Sequence, residues 1–317
     1  MIKKFDLQTV KSQIDMKAIE NYAHLENRYL ITNTDLELDN FVKISSVYDI
    51  DVEMIGKSLF FLHFDSDDEY IYELDRIIEN NGKFLIQTNY CKYNYVHSNK
   101  KCNLALTDTM KCIDEISHYD VMIHQNICQA LEQTKHLEGS YVEIGVYKGG
   151  SALTALNYMK HSSIKRPTYL FDTFDGFDYD EANNSSETHW EKNNNNHKLF
   201  GINETMSYIQ TLLSRECPEQ HFHLIQSNIC SDELPSEIDK IAVANIDVDI
   251  YDATRDAFLK VSEKVVKGGI IICEDPPSTP GLIGAYYAME KFLTTPSGQK
   301  FMKLHLSGQY FLIKMSD

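Results

Sequence analysis

Two predicted strands of this sequence end on acidic residues. Asp247 and Asp249 stand at the end of one strand, and Glu274 and Asp275 come directly after the next. Because the carboxyl ends of parallel strands meet at one edge of a sheet, three or four carboxylates would converge there. Such carboxylates raise one another's pKa unless a cation lies between them, and hard oxygen ligands select Mg²⁺ or a similar divalent ion. The sequence therefore predicts a divalent metal held by Asp247, Glu274 and Asp275, with helix N-caps as the alternative role of these acids.

A third predicted strand runs into a glycine-rich turn. Residues 141–151 read Tyr-Val-Glu-Ile-Gly-Val-Tyr-Lys-Gly-Gly-Ser, so the backbone can turn sharply and the next helix offers N–H groups to a carboxylate or phosphate. The spacing differs from the G-x-G-x-x-G of dinucleotide-binding folds and from a P-loop. As E-x-G-x-Y-x-G-x-S it resembles the first motif of class I S-adenosylmethionine (SAM) methyltransferases, although a parallel α/β protein can also carry such a turn without a ligand. The residues predicted to bind this cofactor in the turn are Glu143, Gly145, Tyr147, Gly149 and Ser151.

Two further cofactor contacts are predicted at the ends of the next two strands. In nucleotide-binding α/β units, an acid about 20 or more residues past the glycine turn accepts hydrogen bonds from both ribose hydroxyls. Asp172 fits this role, Asp175 is the alternative, and a helix N-cap is the other interpretation of either acid. Ser227 ends the following strand with a short polar side chain, which we expect to meet the adenine edge.

These motifs lie where strands and helices alternate, from about residue 138 onward, as in βαβ units. The alternation predicts a Rossmann-like α/β fold with a seven-stranded, mainly parallel sheet, helices on both faces and a closing antiparallel hairpin. The strand candidates are 140–144, 168–172, 222–226, 241–247, 269–273, 301–305 and 309–314. The helix candidates with apolar residues at helical spacing are 151–160, 203–214, 251–266 and 284–294.

The remaining chain predicts a second, smaller domain. Residues 1–110 lack cofactor motifs but hold apparent α/β elements, so we expect an N-terminal auxiliary domain there and a methyltransferase domain at 111–317. A helix around 118–134 is expected to lie against the cofactor pocket. Residues 178–201 are polar and without periodicity, which indicates a long loop that can act as a lid over the site.

Composition excludes several classes of function. With 30 Lys+Arg against 47 Asp+Glu the formal charge is −17, which repels nucleic acids and anionic membrane surfaces. No apolar run reaches the roughly 20 residues that span a bilayer, and the first residues lead into no signal-peptide core, so we expect a soluble, cytoplasmic protein. The seven cysteines are scattered without a C-x-x-C pair, as expected of reduced thiols rather than disulfides or a zinc site.

Four motifs in this order resemble the macrocin and mycinamicin O-methyltransferase family, over roughly residues 110–317. They are residues 143–151, 171–176, 247–254 and 268–275. The resemblance implies Mg-dependent transfer of a methyl group from SAM to a hydroxyl of a sugar or a glycosylated natural product, with the cation at these acids binding vicinal hydroxyls of the acceptor. It also implies a homo-oligomer, a dimer or tetramer, whose neighbouring chains complete the active site.

The sequence leaves the general base open. Related cation-dependent enzymes carry Lys or His three positions after the first metal acid, and here Ile250 stands at that position and cannot accept a proton. The candidates are Asp249, which strand alternation would place on the face of Asp247, and His189 or His197 of the long loop. The alternatives to methyl transfer are a SAM-fold enzyme of another reaction, such as a hydroxylase-like relative, and a SAM-binding oligomeric partner without activity. The glycine spacing disfavours a nicotinamide dehydrogenase.

Overall fold

The computed structural model describes residues 19–20, 22–33, 35–63, 71–86, 99–116, 120–185, 200–274, 283–306 and 308–317. The chain divides into two compact units, Met1–Asn103 and Leu104–Asp317. Within the described residues, no helix is both long and apolar enough to cross a membrane.

The first unit is built around a parallel sheet of four strands in the order β2-β1-β3-β4. Every residue of β3 is buried, because a central parallel strand is covered on both faces. The sequence predicts strands at 58–64 and 84–88 and a helix at 70–79, which β3, β4 and α2 overlap. It does not predict β1 or β2, which are short or only partly buried. The elements are β1 (Asn27–Thr32), β2 (Val42–Ile44), α1 (Val52–Ile55), β3 (Ser58–His63), α2 (Ile71–Glu79) and β4 (Lys83–Ile86).

The second unit contains a seven-stranded sheet in the order β10-β11-β9-β8-β5-β6-β7. Strands β5 to β9 run parallel, and β10 and β11 form an antiparallel hairpin whose second strand pairs with β9. The strands are β5 (Ser140–Ile144), β6 (Thr168–Asp172), β7 (Phe222–Gln226), β8 (Ile241–Ile246), β9 (Val265–Cys273), β10 (Phe301–Leu306) and β11 (Gln309–Lys314). The helices are α3 (Lys100–Met110), which begins before the boundary between the units, α4 (Ile113–Ile116), α5 (Val121–Gln133), α6 (Gly150–Ser162), α7 (Asp180–Asn184), α8 (Ile202–Glu216), α9 (Tyr251–Lys264) and α10 (Ile283–Leu293).

Alternation along β5 distinguishes the two faces of this sheet. Val142 and Ile144 belong to the hydrophobic core that includes side chains of α9 and α10. Tyr141 and Glu143 lie on the opposite face, where Ser151 in the first turn of α6 reaches Glu143. Tyr141, Glu143 and the beginning of α6 therefore share one face of the sheet.

The sheet and its closing hairpin confirm the predicted fold class. The four predicted helices are present, and none of their ends is shifted by more than two residues. The helix expected around 118–134 is α5, capped by the Asp120 side chain. The predicted helix 251–266 ends earlier because β9 already begins at Val265. The segment 178–201 is not all loop, since α7 lies within it. His189 and His197 lie outside the described residues.

Candidate active site

The carboxyl edge of the second sheet brings three predicted site residues side by side. Gly145, Asp247 and Glu274 directly follow β5, β8 and β9, and their N–H groups donate to carbonyls of neighbouring strands at 2.9, 2.9 and 3.2 Å. The hydrogen-bond ladder thus continues one residue past each strand. Residues at equivalent positions of parallel strands share a face, which places Asp247 and Glu274 on the face of Glu143.

Three loops at this edge hold non-glycine residues in left-handed backbone conformations. Tyr147 after β5, Phe174 after β6 and Asp249 after β8 have φ values of 49°, 55° and 63°. Such a conformation costs a non-glycine residue about 1–2 kcal/mol, and strained residues cluster at active sites and ligand clamps. Gly149 is the N-cap of α6 with φ 81°, where glycine carries no such cost. The backbone strain therefore marks the same edge as the sequence motifs.

The Asp172 carboxylate ties the glycine turn to the end of β6. Its Oδ2 accepts the backbone N–H groups of Val146 and Tyr147 at 2.7 and 3.0 Å, and its Oδ1 accepts that of Phe174 at 2.7 Å. A carboxylate has roughly four acceptor positions, so these three bonds leave about one for a ribose hydroxyl instead of the expected pair. The predicted adenine contact, Ser227, donates its N–H to the Asp172 carbonyl at 2.8 Å and so lies next to this acid.

Glu143 is fully buried beneath the glycine turn. Its Oε1 accepts the Ser151 hydroxyl at 2.8 Å and its Oε2 accepts the Tyr141 hydroxyl at 2.5 Å. Burial raises the pKa of Glu143 to about 7, and the bonds from Tyr141 and Ser151 only partly oppose this. Glu143 and Ser151 were both predicted to bind the cofactor, and the structure joins them by a hydrogen bond that ties the first turn of α6 to β5.

The remaining acids take different positions. Strand β8 ends at Ile246 and Asp249 has a positive φ, so the strand alternation expected to carry Asp249 onto the face of Asp247 does not apply. The Asp249 charge instead adds to burial in raising the pKa of Tyr179. Ile250 is fully buried in the hydrophobic core, which agrees with its inability to act as a base.

The predicted metal ligands are only partly described. Asp247 and Glu274 adjoin at the edge, whereas Asp275 lies outside the described residues, as does the candidate base His189. Within the ranges that the structure covers, no group of three or more His, Cys, Asp and Glu side chains is arranged to hold a metal ion. The two described acids do supply the hard oxygen donors that a divalent cation prefers.

The segment that holds this edge matches a known family. Residues 116–295, more than half of the chain, match the model of the family described as Macrocin-O-methyltransferase (TylF). The chain belongs to the TylF macrocin O-methyltransferase family. It is accordingly a SAM-dependent O-methyltransferase, as the four sequence motifs implied. The TylF-family assignment rests on the segment that runs from the last residue of α4 through α10.

Two solved structures share the fold of this TylF-family protein. The O-methyltransferase NovP is 15% identical with a TM-score of 0.55, and the match covers 68% of this chain and 98% of NovP. The calicheamicin methyltransferase CalS11 is 16% identical with a TM-score of 0.50, and the match covers 72% of this chain and 98% of CalS11. No curated protein matches the chain by sequence.

Sequence reasoning missed two polar residues that reach the site of this TylF-family enzyme. Gln309, the first residue of β11, donates its amide N–H to Oε2 of Glu274, and Asn126 of α5 donates its amide N–H to Oε1 of Gln309 at 2.9 Å. Both are almost completely buried. No local pattern signals such contacts, because they join segments that are far apart in sequence. Tyr141 was also missed, although its position two residues before Glu143 places it on the same face.

Proposed function

We propose that this TylF-family enzyme transfers the SAM methyl group to a hydroxyl of a sugar or glycosylated natural product, and that the transfer requires a divalent cation such as Mg²⁺. One observation carries the proposal: Asp247 and Glu274 follow adjacent strands in the same row as Gly145 of the glycine turn. Acids suited to a cation therefore adjoin the turn that we assign to the methyl donor.

The proposed cation ligands are Asp247, Glu274 and Asp275. When bound, a divalent cation would lower the pKa of an acceptor hydroxyl and orient it. The protein's own contribution is to hold carboxylates of neighbouring strands at one edge, where the ladder that continues past β8 and β9 fixes the backbone of the first two. The proposed donor contacts in the turn are Glu143, Gly145, Tyr147, Gly149 and Ser151, with Asp172 at the ribose and Ser227 at the adenine.

The proposed reaction forms a bond between the acceptor oxygen and the SAM methyl carbon while the carbon–sulfur bond breaks. The products are the methyl ether, S-adenosylhomocysteine (SAH) and a proton. We propose that Asp249 is the base that accepts the hydroxyl proton, because it lies two residues beyond Asp247 in a strained turn at this edge. The neighbouring Ile250 is buried in the core. His189 is the alternative base.

The acceptor class is supported by the family description, which names macrocin, and by the names of NovP as an O-methyltransferase and CalS11 as a calicheamicin methyltransferase. The formal charge of −17 disfavours polyanionic acceptors such as nucleic acids. A neutral acceptor with vicinal hydroxyls suits both an acidic protein and a cation held by carboxylates.

The decisive experiment measures transfer of radiolabelled methyl from SAM to a panel of methyl glycosides with vicinal hydroxyls. We expect EDTA to abolish transfer and excess Mg²⁺ to restore it. The Asp247→Asn variant should lower kcat by about 100-fold or more while SAH affinity stays within about twofold of the wild type. Asp239→Asn is the matched control, because this exposed acid lies at the opposite end of β8.

Each part of the proposal has its own contrary result. Transfer that EDTA and Asp247→Asn leave unchanged would contradict the cation requirement. SAH binding without transfer to any glycoside would contradict the acceptor class. We also propose a homo-oligomer, a dimer or tetramer, and light scattering of the purified protein at the monomer mass would contradict that part.

A further inference from the structure

A buried amide pair supports Glu274 from behind the carboxyl edge. In the antiparallel pairing of β9 with β11, Cys273 lies opposite Tyr310, so the next positions, Glu274 and Gln309, also face each other. The Gln309 amide donates to Oε2 of Glu274, and Asn126 of α5 donates to the Gln309 carbonyl oxygen at 2.9 Å. Gln309 is fully buried and Asn126 is 2% exposed. The contact therefore lies inside the protein rather than on its surface.

The chemistry of the three groups fixes the direction of these hydrogen bonds. An ionised carboxylate only accepts, so the Gln309 side chain must turn its NH₂ group toward Glu274. The Gln309 carbonyl oxygen then points the other way and needs a donor, which the Asn126 NH₂ group supplies. Asn126 thereby holds the Gln309 amide in the one orientation that donates to Glu274.

We propose that Gln309, held by Asn126, is a positioning residue that fixes the Glu274 carboxylate for the divalent cation. The inference rests on the cation site of the proposed function. Glutamate has one more rotatable bond than aspartate, so a Glu ligand loses more conformational freedom when it is fixed. The Gln309 amide restricts that freedom in advance, and partners of this kind typically change metal affinity by about 10–100-fold.

Direct measurement of cation binding tests the proposal without any acceptor. The full chain, saturated with SAH, is titrated with Mn²⁺, and free Mn²⁺ is followed by electron paramagnetic resonance. Gln309→Met keeps the length of the side chain and removes both amide contacts, and we expect it to weaken Mn²⁺ binding about tenfold. Asn126→Leu should weaken binding in the same direction but less, because Gln309 remains and loses only its orientation.

Lys314→Met is the matched control. Lys314 lies at the other end of β11, is 7% exposed and donates to the carbonyls of Ser262 and Val265 at 3.1 and 2.7 Å. The Lys314→Met variant should lower the melting temperature at least as much as Gln309→Met but leave the Mn²⁺ affinity unchanged. SAH affinity, measured for every variant, should stay within about twofold of the wild type, which shows that the glycine turn remains folded.

The outcomes separate this inference from the proposed function. Wild-type protein that binds Mn²⁺, together with Gln309→Met of unchanged Mn²⁺ affinity, overturns the positioning role alone. Equal weakening by Lys314→Met also overturns it, because the effect would then be a general loss of stability. Wild-type protein that binds no Mn²⁺ overturns the cation site and this inference with it.

Discussion

Gly145 packs directly against the backbone of Asp247. A Cβ added at Gly145 would lie 1.7 Å from the Asp247 carbonyl oxygen, which no side chain can accommodate. Glycine at this position therefore allows the close contact between the ends of β5 and β8, in addition to the sharp turn predicted from the sequence. This contact fixes the backbone of the loop that we assign to SAM relative to the backbone of Asp247, the first of the proposed cation ligands.

Gly145→Ala is the first test of this contact. Gly145 has φ +90°, so alanine would meet both backbone strain and the clash with Asp247. We expect a loss of roughly 3 kcal/mol or more in the free energy of unfolding, together with loss of SAH binding. Urea unfolding and calorimetric titration with SAH measure the two effects.

Gly268→Ala separates the clash from the strain. Gly268 has φ +82°, but its added Cβ would meet only the Leu137 side chain at 3.4 Å, an ordinary contact. This variant should lose about 1 kcal/mol and bind SAH normally. Equal losses of stability in Gly145→Ala and Gly268→Ala would mean that the clash with the Asp247 backbone adds nothing to the cost of the positive φ.

Asp172→Asn tests the link between the glycine turn and β6. The amide would place an NH₂ group where a carboxylate oxygen now accepts backbone N–H groups, and hydrogen bonds to charged groups contribute about 1.5–3 kcal/mol each. We expect a loss of about 2 kcal/mol in stability and at least roughly tenfold weaker SAH binding. Asp175→Asn is the control, since the Asp175 side chain is the alternative ribose contact. If Asp175→Asn weakened SAH binding and Asp172→Asn did not, the assignment would be reversed.

The sequence predicted those parts of the fold and site that follow from local patterns. The four strands 140–144, 168–172, 222–226 and 309–314 have the predicted ends, because their apolar runs are bounded by polar residues or glycine. The position of Glu274 directly after a buried strand was likewise predicted from the sequence. Its contact with Gln309 was not predicted, because it depends on β11 pairing with β9, and the local pattern of either strand does not identify its neighbour in the sheet.

The role of individual polar residues was harder to predict than their position. Asp172 ends the predicted strand, yet its carboxylate, which was expected to accept ribose hydroxyls, also accepts backbone N–H groups of the glycine turn. The alternation argument does not apply to Asp249, because a residue with positive φ leaves the strand geometry on which alternation depends. Both cases depend on loop dihedral angles, which single-residue propensities leave undetermined.

Glu143 makes the stability of the protein depend on pH. Burial raises its pKa to about 7 from the ordinary 4.5, so the folded state holds the proton more tightly than the unfolded state. The stabilisation is therefore fully present below pH 4.5 and is lost as the pH rises through 7. The shift corresponds to a decrease on the order of 3 kcal/mol across this window.

The Glu143→Gln variant should lose less stability than the wild type as the pH rises. Asn245, in register with Glu143 on β8, has an Oδ1 without a hydrogen-bond partner among the described residues, and it can accept an N–H of the introduced amide. We expect the loss of stability between about pH 5 and pH 8 to be smaller by about 1 kcal/mol or more in the variant. Urea unfolding at intervals across this range measures it, with Glu138→Gln, an exposed acid paired with Lys240, as the control that keeps the wild-type slope. Parallel profiles for the wild type and Glu143→Gln would show that Glu143 is already ionised in the folded protein, because an ionised carboxylate binds no proton that the substitution could remove.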